Sequence, residues 1–132
     1  MNIYGIGTDI VSVDRIKKSS KKKNFLNRIF SKKEILKCKS MARPYNCYAK
    51  RFAAKEAFSK ALGTGIANGI NFNEIIILNE KSGKPYIVLS GQTKRILKSK
   101  FKNKKSKILL SISDEKKYAI AFVIISLWIK KN

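Results

Sequence analysis

The chain has 132 residues, 30 Lys and Arg against 8 Asp and Glu, a formal net charge of +22 and no histidine. Without an imidazole there is no Ser-His-Asp triad, no Cys-His dyad and no His-ligated zinc. The two cysteines, Cys38 and Cys47, cannot complete a structural zinc site by themselves. No disulfide framework is expected, so a reducing cytoplasm is the default setting. A hydrophobic share of 44% is enough for a core, and the length predicts one domain over 1–132.

The first segment, Ile3 to Val13, is apolar and β-branched with two glycines, and reads as a strand passing into a helix near Asp14. Phe25 to Ser31 reads as a short helix. Ser31 with Glu34 forms an S-K-K-E capping box for the next one, which Arg43-Pro44 breaks. Tyr48 to Leu62 is the strongest helical stretch, free of Gly and Pro inside and ended by Gly63. Phe72–Leu78 and Tyr86–Leu89 read as strands around the turn Glu80–Pro85, and Gln92 to about Lys100 as a helix. The basic tract Lys98–Lys107 reads as a solvated helix end and loop. Lys107–Ser113 and Tyr118–Ile129 then make a closing hairpin. The apolar run Tyr118–Ile129 has 12 residues, short of the roughly 20 a spanning helix needs. No basic-then-apolar leader is visible. The order of elements predicts an α+β fold, an antiparallel sheet with segregated helices.

Twenty-five of the thirty basic residues are Lys, and Ile and Asn are abundant, which is the profile of AT-rich coding. The rest of the charge suits an anionic partner. RNA is one such partner, but no aromatic-basic RNP pattern appears. A polyanionic small molecule with an acidic protein fits equally well.

Glu34, Glu74, Glu80, Asp114 and Glu115 fall at element ends or turns, where solvation explains them; Asp14 fits a helix start. Asp9 is harder to dismiss. A carboxylate among Ile and Val must be paired, hydrogen-bonded or metal-bound, unless it simply faces outward beside Thr8. Glu56 stands in mid-helix with Lys60 four residues on, which by itself describes an ordinary surface ion pair. Ala53, Ala54, Ala57, Phe58 and Ala61 make a small-residue face for close packing, while Phe52, Glu56, Lys60 and Gly63 line another with Arg51 and Lys55 beside it. Three glycines in 63–69 allow close backbone approach to a ligand, although the spacing is neither Walker nor GxGxxG. Two carboxylates, a lysine, an arginine and this loop form a kit for Mg²⁺ and pyrophosphate.

The stretches G-I-G-T-D-I-V-S-V-D-R-I over 5–16 and R-F-A-A-K-E-A-F-S-K-A-L-G-T-G-I over 51–66 resemble the holo-[acyl-carrier-protein] synthases, the small single-repeat 4′-phosphopantetheinyl transferases. The resemblance extends over nearly the whole chain, including the Gly83-Lys84-Pro85 turn and the Tyr118-Ala119 strand. It implies transfer of the 4′-phosphopantetheine arm of coenzyme A to a serine of apo-acyl carrier protein, with adenosine 3′,5′-bisphosphate released, in support of fatty acid biosynthesis. It implies Mg²⁺ on Asp9 and Glu56, with Lys60 neutralising or protonating the leaving phosphate. In the absence of histidine, Glu56, or a metal-bound water that it orients, is the remaining candidate base. Coenzyme A is expected at Arg51, Lys60, Gly63, Thr64, Gly65, Lys84 and Pro85. Arg15, Lys18 and Lys22 are expected to hold the acidic carrier protein. Asp114 stands where many members carry a histidine, while others have Asp-Glu there, and it is left out of the expected site. The resemblance also implies a cytoplasmic homotrimer with active sites between subunits, and neither nucleic acid nor membrane is expected as a partner.

Overall fold

The computed structural model describes residues 2–63, 69–102 and 104–129. β1 (Asn2–Ser12) leads into α1 (Val13–Ser20), then α2 (Phe25–Ile29), α3 (Lys32–Lys39) and the long α4 (Pro44–Leu62). A single 3₁₀ turn over Phe72–Glu74 precedes β2 (Ile75–Asn79) and β3 (Pro85–Leu89). The chain closes with α5 (Gly91–Phe101), β4 (Lys104–Asp114) and β5 (Tyr118–Ile129). β1, β5 and β4 form an antiparallel sheet in that order, and β2 and β3 pair antiparallel in a second sheet. The α+β expectation holds.

α4 is the pivot. Ala53, Ala54, Ala57 and Ala61 are fully buried on the face laid over the three-stranded sheet. Across from them, Gly5 and Gly7 bring the backbone of β1 onto the helix. A Cβ at Gly7 would stand 1.8 Å from the Ala57 carbonyl oxygen, and one at Gly5 1.9 Å from that of Ala61. The two glycines therefore act by their lack of a side chain. Ala119 and Ala121 of β5, also buried, complete a small-residue layer. Larger side chains, Phe30, Phe58, Ile75 and Ile77 among them, fill the core around it.

Several boundaries differ from expectation. Pro44 starts α4 instead of only breaking its predecessor, because the missing N–H costs nothing at the first helical position. Phe72–Glu74 coil into the 3₁₀ turn, so the strand starts later than expected. α1 stops at Ser20, so of the residues expected to hold the carrier protein Arg15 and Lys18 are on the helix and Lys22 is in the turn after it. Lys104–Ser106, read as loop, extends β4 by pairing with Leu127–Ile129. Cys38 and Cys47, expected outside any disulfide, are bonded to each other. The turn 40–43 folds the end of α3 onto the first turns of α4 and sets their Cα atoms 5.3 Å apart.

Candidate functional site

Asp9 lies on the face of β1 that meets α4, not outward, since it alternates in phase with Gly5, Gly7 and the buried Val11. Its side chain is 17% exposed, and Lys60 Nζ reaches its Oδ1 at 3.2 Å while also donating to the Thr8 carbonyl at 3.0 Å. Lys60 itself is 56% exposed, so the ammonium stands at the rim. Glu56, one turn back along α4, belongs to the same cluster. Burial and then the nearby Asp9 push its carboxyl above the ordinary value, while Lys60 and Arg15 pull it down. Two carboxylates share a small space with one close lysine. That surplus negative charge, carried on hard oxygens, suits a divalent cation that keeps waters and contacts phosphate.

Arg15 is exposed at the start of α1, where Ser12 caps the helix by accepting from its N–H at 3.2 Å. Its charge acts on Glu56 after that of Lys60, with no ion pair between Arg15 and Glu56 among the described residues. Lys18, also exposed, pairs with Asp14 at 3.0 Å. Lys22 is exposed in the turn that follows. Gly63 ends α4 at φ +80°, a left-handed conformation that favours glycine, and no atom of the described residues lies within 4 Å of where a Cβ would stand. Thr64 and Gly65, expected to meet the nucleotide, lie outside the described residues.

Arg51 is elsewhere. It lies about 140° around α4 from Glu56. Its Nη2 donates to Asn79 Oδ1 at 3.0 Å, its Nη1 contacts Cys47 Sγ at 3.2 Å, and its buried Nε has no hydrogen-bond partner among the described residues. Burial lowers its pKa, with Glu34 opposing. It borders a cavity of about 370 Å³ whose lining includes Lys37, Lys50, Asn79, Lys81, Pro85 and Asp114. Pro85 is thus brought to Arg51, whereas Lys84 is absent from the lining and Lys81 is present. Asp114, left out of the expected site, borders this cavity too. These contributors come from five separate stretches of chain, and no local motif marks them.

Two expectations are corrected. Lys55 does not stand beside Glu56 on an open face, and Glu34 is not a solvated helix-end acid. Both side chains are 0% exposed and joined at 2.8 Å. Lys55 also donates to the carbonyls of Phe72 and Ile75. Glu34 accepts from Ser31 N, closing the expected capping box, and from Ile77 N. Burial pulls the Lys55 pKa down to about 8 against the pull of Glu34. Every strong donor and acceptor in this pair has a partner, and the pair ties α3 and α4 to β2. Glu74 likewise caps α5, accepting from the Gln92 and Thr93 N–H groups.

A family model described as the 4′-phosphopantetheinyl transferase superfamily matches residues 5–123. A curated protein from Pelagibacter ubique named holo-[acyl-carrier-protein] synthase is 51% identical over 125 residues, covering 95% of this chain and 98% of its own. A crystal structure of holo-[acyl-carrier-protein] synthase from Neisseria meningitidis superposes with a TM-score of 0.83 at 40% identity, over 95% of this chain and 99% of that one. The Helicobacter pylori enzyme of the same name, solved in complex with coenzyme A, gives 0.76 at 38% identity, over 92% and 99% of the two chains.

Proposed function

The chain belongs to the 4′-phosphopantetheinyl transferase superfamily, among the holo-[acyl-carrier-protein] synthases, and from that premise we propose the reaction its own residues carry out. The whole chain, 1–132, acts as one catalytic domain. It moves the phosphopantetheine arm of coenzyme A onto a serine hydroxyl of an apo-acyl carrier protein and releases adenosine 3′,5′-bisphosphate, in service of fatty acid synthesis in the cytoplasm. The observation that carries this reading is the cluster of Asp9, Glu56 and Lys60 where β1 crosses α4.

Asp9 and Glu56 fit Mg²⁺, because they are two hard, crowded carboxylates at a partly open rim. When bound there, the ion supplies charge neutralisation to the pyrophosphate. Lys60 offers its ammonium to the phosphate that leaves with the nucleotide. Glu56 would be the group placed to take the serine proton, directly or through a water that it orients. The unpartnered Nε of Arg51, in a cavity rimmed by Lys37, Lys50 and Lys81, suits the phosphates of the nucleotide half of coenzyme A.

Within one subunit α4 separates the carboxylates from that cavity. Asp9 faces Ala121 and, one strand further, Ile112, so the β1 and β4 sides are about 10 Å apart across β5. We place the complete site between subunits of a homotrimer. The outer sheet face supports this, since Ile6, Ile10, Leu109, Ile120 and Phe122 are each more than 40% exposed on neighbouring strands. Light scattering is expected to give three times 15.0 kDa, and a monomer mass at micromolar concentration would remove the shared site. The reaction itself is tested by incubating apo-carrier protein, coenzyme A and Mg²⁺ with the protein. The carrier's intact mass is expected to rise by the arm; an unchanged mass overturns the reading.

A further inference from the structure

Between the facing edges of β3 and β4, under α5, runs a groove of about 620 Å³ that the reaction does not use. Its floor is apolar: Ile87, Leu89, Leu97, Phe101, Ile108 and Trp128. Lys94, Lys98, Lys102, Lys104 and Lys105 rim it, all exposed. Phe101, Lys102 and Lys104 also border a second depression with Tyr4, Lys100 and Ile129, so the two form one surface. Ile129 is 77% exposed there, and Tyr4, 38% exposed, meets Phe101 edge-on at 5.2 Å between centroids.

No acid borders either depression, and the sequence holds ten basic residues and no acid from Lys81 to Ser113. Among the described residues none of the five rim lysines, nor Lys100 of the second depression, is in an ion pair. Biased coding distributes lysine without regard to fold; it does not gather unpaired lysines around an aromatic and aliphatic floor.

We propose that this end of the molecule is a peripheral docking surface for an anionic lipid bilayer, which reverses the expectation that no membrane is a partner. The arrangement of the rim selects that occupant. Ammonium groups without an ion pair among the described residues encircle an apolar floor, and such compact point charges suit a diffuse anionic surface. Lysine stems lie along apolar surface while the ammonium stays in water, and Trp and Tyr rings suit the headgroup level. An apolar floor with a lysine rim is the arrangement interfacial elements use to enter the headgroup boundary.

Trp128 is the sole tryptophan and reports on the surface directly. The full-length protein is mixed with vesicles of phosphatidylcholine alone or with phosphatidylglycerol, with and without brominated acyl chains. The emission of Trp128 is expected to shift to the blue and to be quenched by brominated lipid only when the anionic lipid is present. Lys94→Glu, Lys98→Glu and Lys102→Glu together should weaken partitioning at least about tenfold and leave transfer to carrier protein in solution unchanged. The same reversals at Lys32, Lys39 and Lys116 should weaken it far less. Equal loss from both sets, or no quenching by brominated lipid, overturns the proposal. Binding to heparin or polyglutamate as tight as to vesicles, without lipid quenching, assigns the groove to a soluble polyanion and also overturns it.

Discussion

Lys55 and Glu56 are consecutive residues of α4 that enter two unlike clusters. Lys55 turns inward to a sealed pair with Glu34, in which the ammonium has three acceptors. Glu56 feels the charge of Asp9, and among the described residues Asp9 is the carboxylate that pairs with Lys60, at a partly open rim. The residue types are the same and the charge balance is not. In the first cluster each charge is answered within the fold, and the pair ties elements together. In the second a negative excess is left over, and burial raises the cost of keeping it. The incomplete balance marks a place where a cation belongs.

The comparison breaks most visibly if the carboxylates of the open cluster are removed. Asp9→Ala and Glu56→Ala should each lower transfer about 10³-fold, some 4 kcal/mol of activation free energy, with the melting temperature unchanged or slightly raised without Mg²⁺. Near-normal turnover at saturating Mg²⁺, read by intact mass of the carrier, would mean the surplus charge has no catalytic part. Glu34→Ala should behave in the opposite way. It strands Lys55 and the Ile77 N–H in the core, at a cost of about 3–5 kcal/mol in urea unfolding. A loss below about 1 kcal/mol would remove the distinction between the two clusters.

Arg15 sharpens the picture of the open side. Arg15→Ala should raise the Michaelis constant for carrier protein about tenfold while leaving that for coenzyme A nearly unchanged, an effect that weakens with salt. Equal loss for both substrates would move it to the nucleotide. The smallest effect is a pH dependence. A carboxyl held above its unfolded value of 4.5 binds its proton more tightly in the folded state. Its stabilising contribution is therefore full below pH 4.5 and is lost as pH rises through the folded value. In EDTA, the wild type should lose on the order of 1–2 °C more than Glu56→Gln between about pH 5 and pH 7, and Mg²⁺ should close that gap. Parallel melting curves for the two proteins would show that Asp9 and burial do not strain Glu56.

The open cluster was legible in the chain because its signals are local. Asp9 breaks an apolar strand, Glu56 and Lys60 are one turn apart, and Gly63 stops the helix at the expected place. The sealed pair was not legible. Glu34 and Lys55 are 21 residues apart, and each has a closer neighbour, Ser31 or Glu56, that offers a sufficient local explanation. The Arg51 cavity was hidden for the same reason, since Asn79, Pro85 and Asp114 reach it only through the sheet pairings. The start of β4 was misread because its lysines resemble solvated loop. On an edge strand lysine is a common device against unwanted pairing, and the composition of edge and loop then coincides. The Cys38–Cys47 bridge depends on the turn 40–43, whose reversal no spacing rule announces.

Gly5 and Gly7 also govern how the molecule opens. Because their backbone rests directly on the carbonyls of Ala61 and Ala57, no side chain can swing aside to let β1 breathe alone. Strand and helix must separate together, as one cooperative unit. In deuterated buffer the amides of β1 that bond to β5 and those of Ala57–Ala61 should therefore exchange at a common slow rate, with those of the exposed turn at Lys21–Lys23 far faster. The carboxylates at the crossing would then be borne on backbone that opens only with the core.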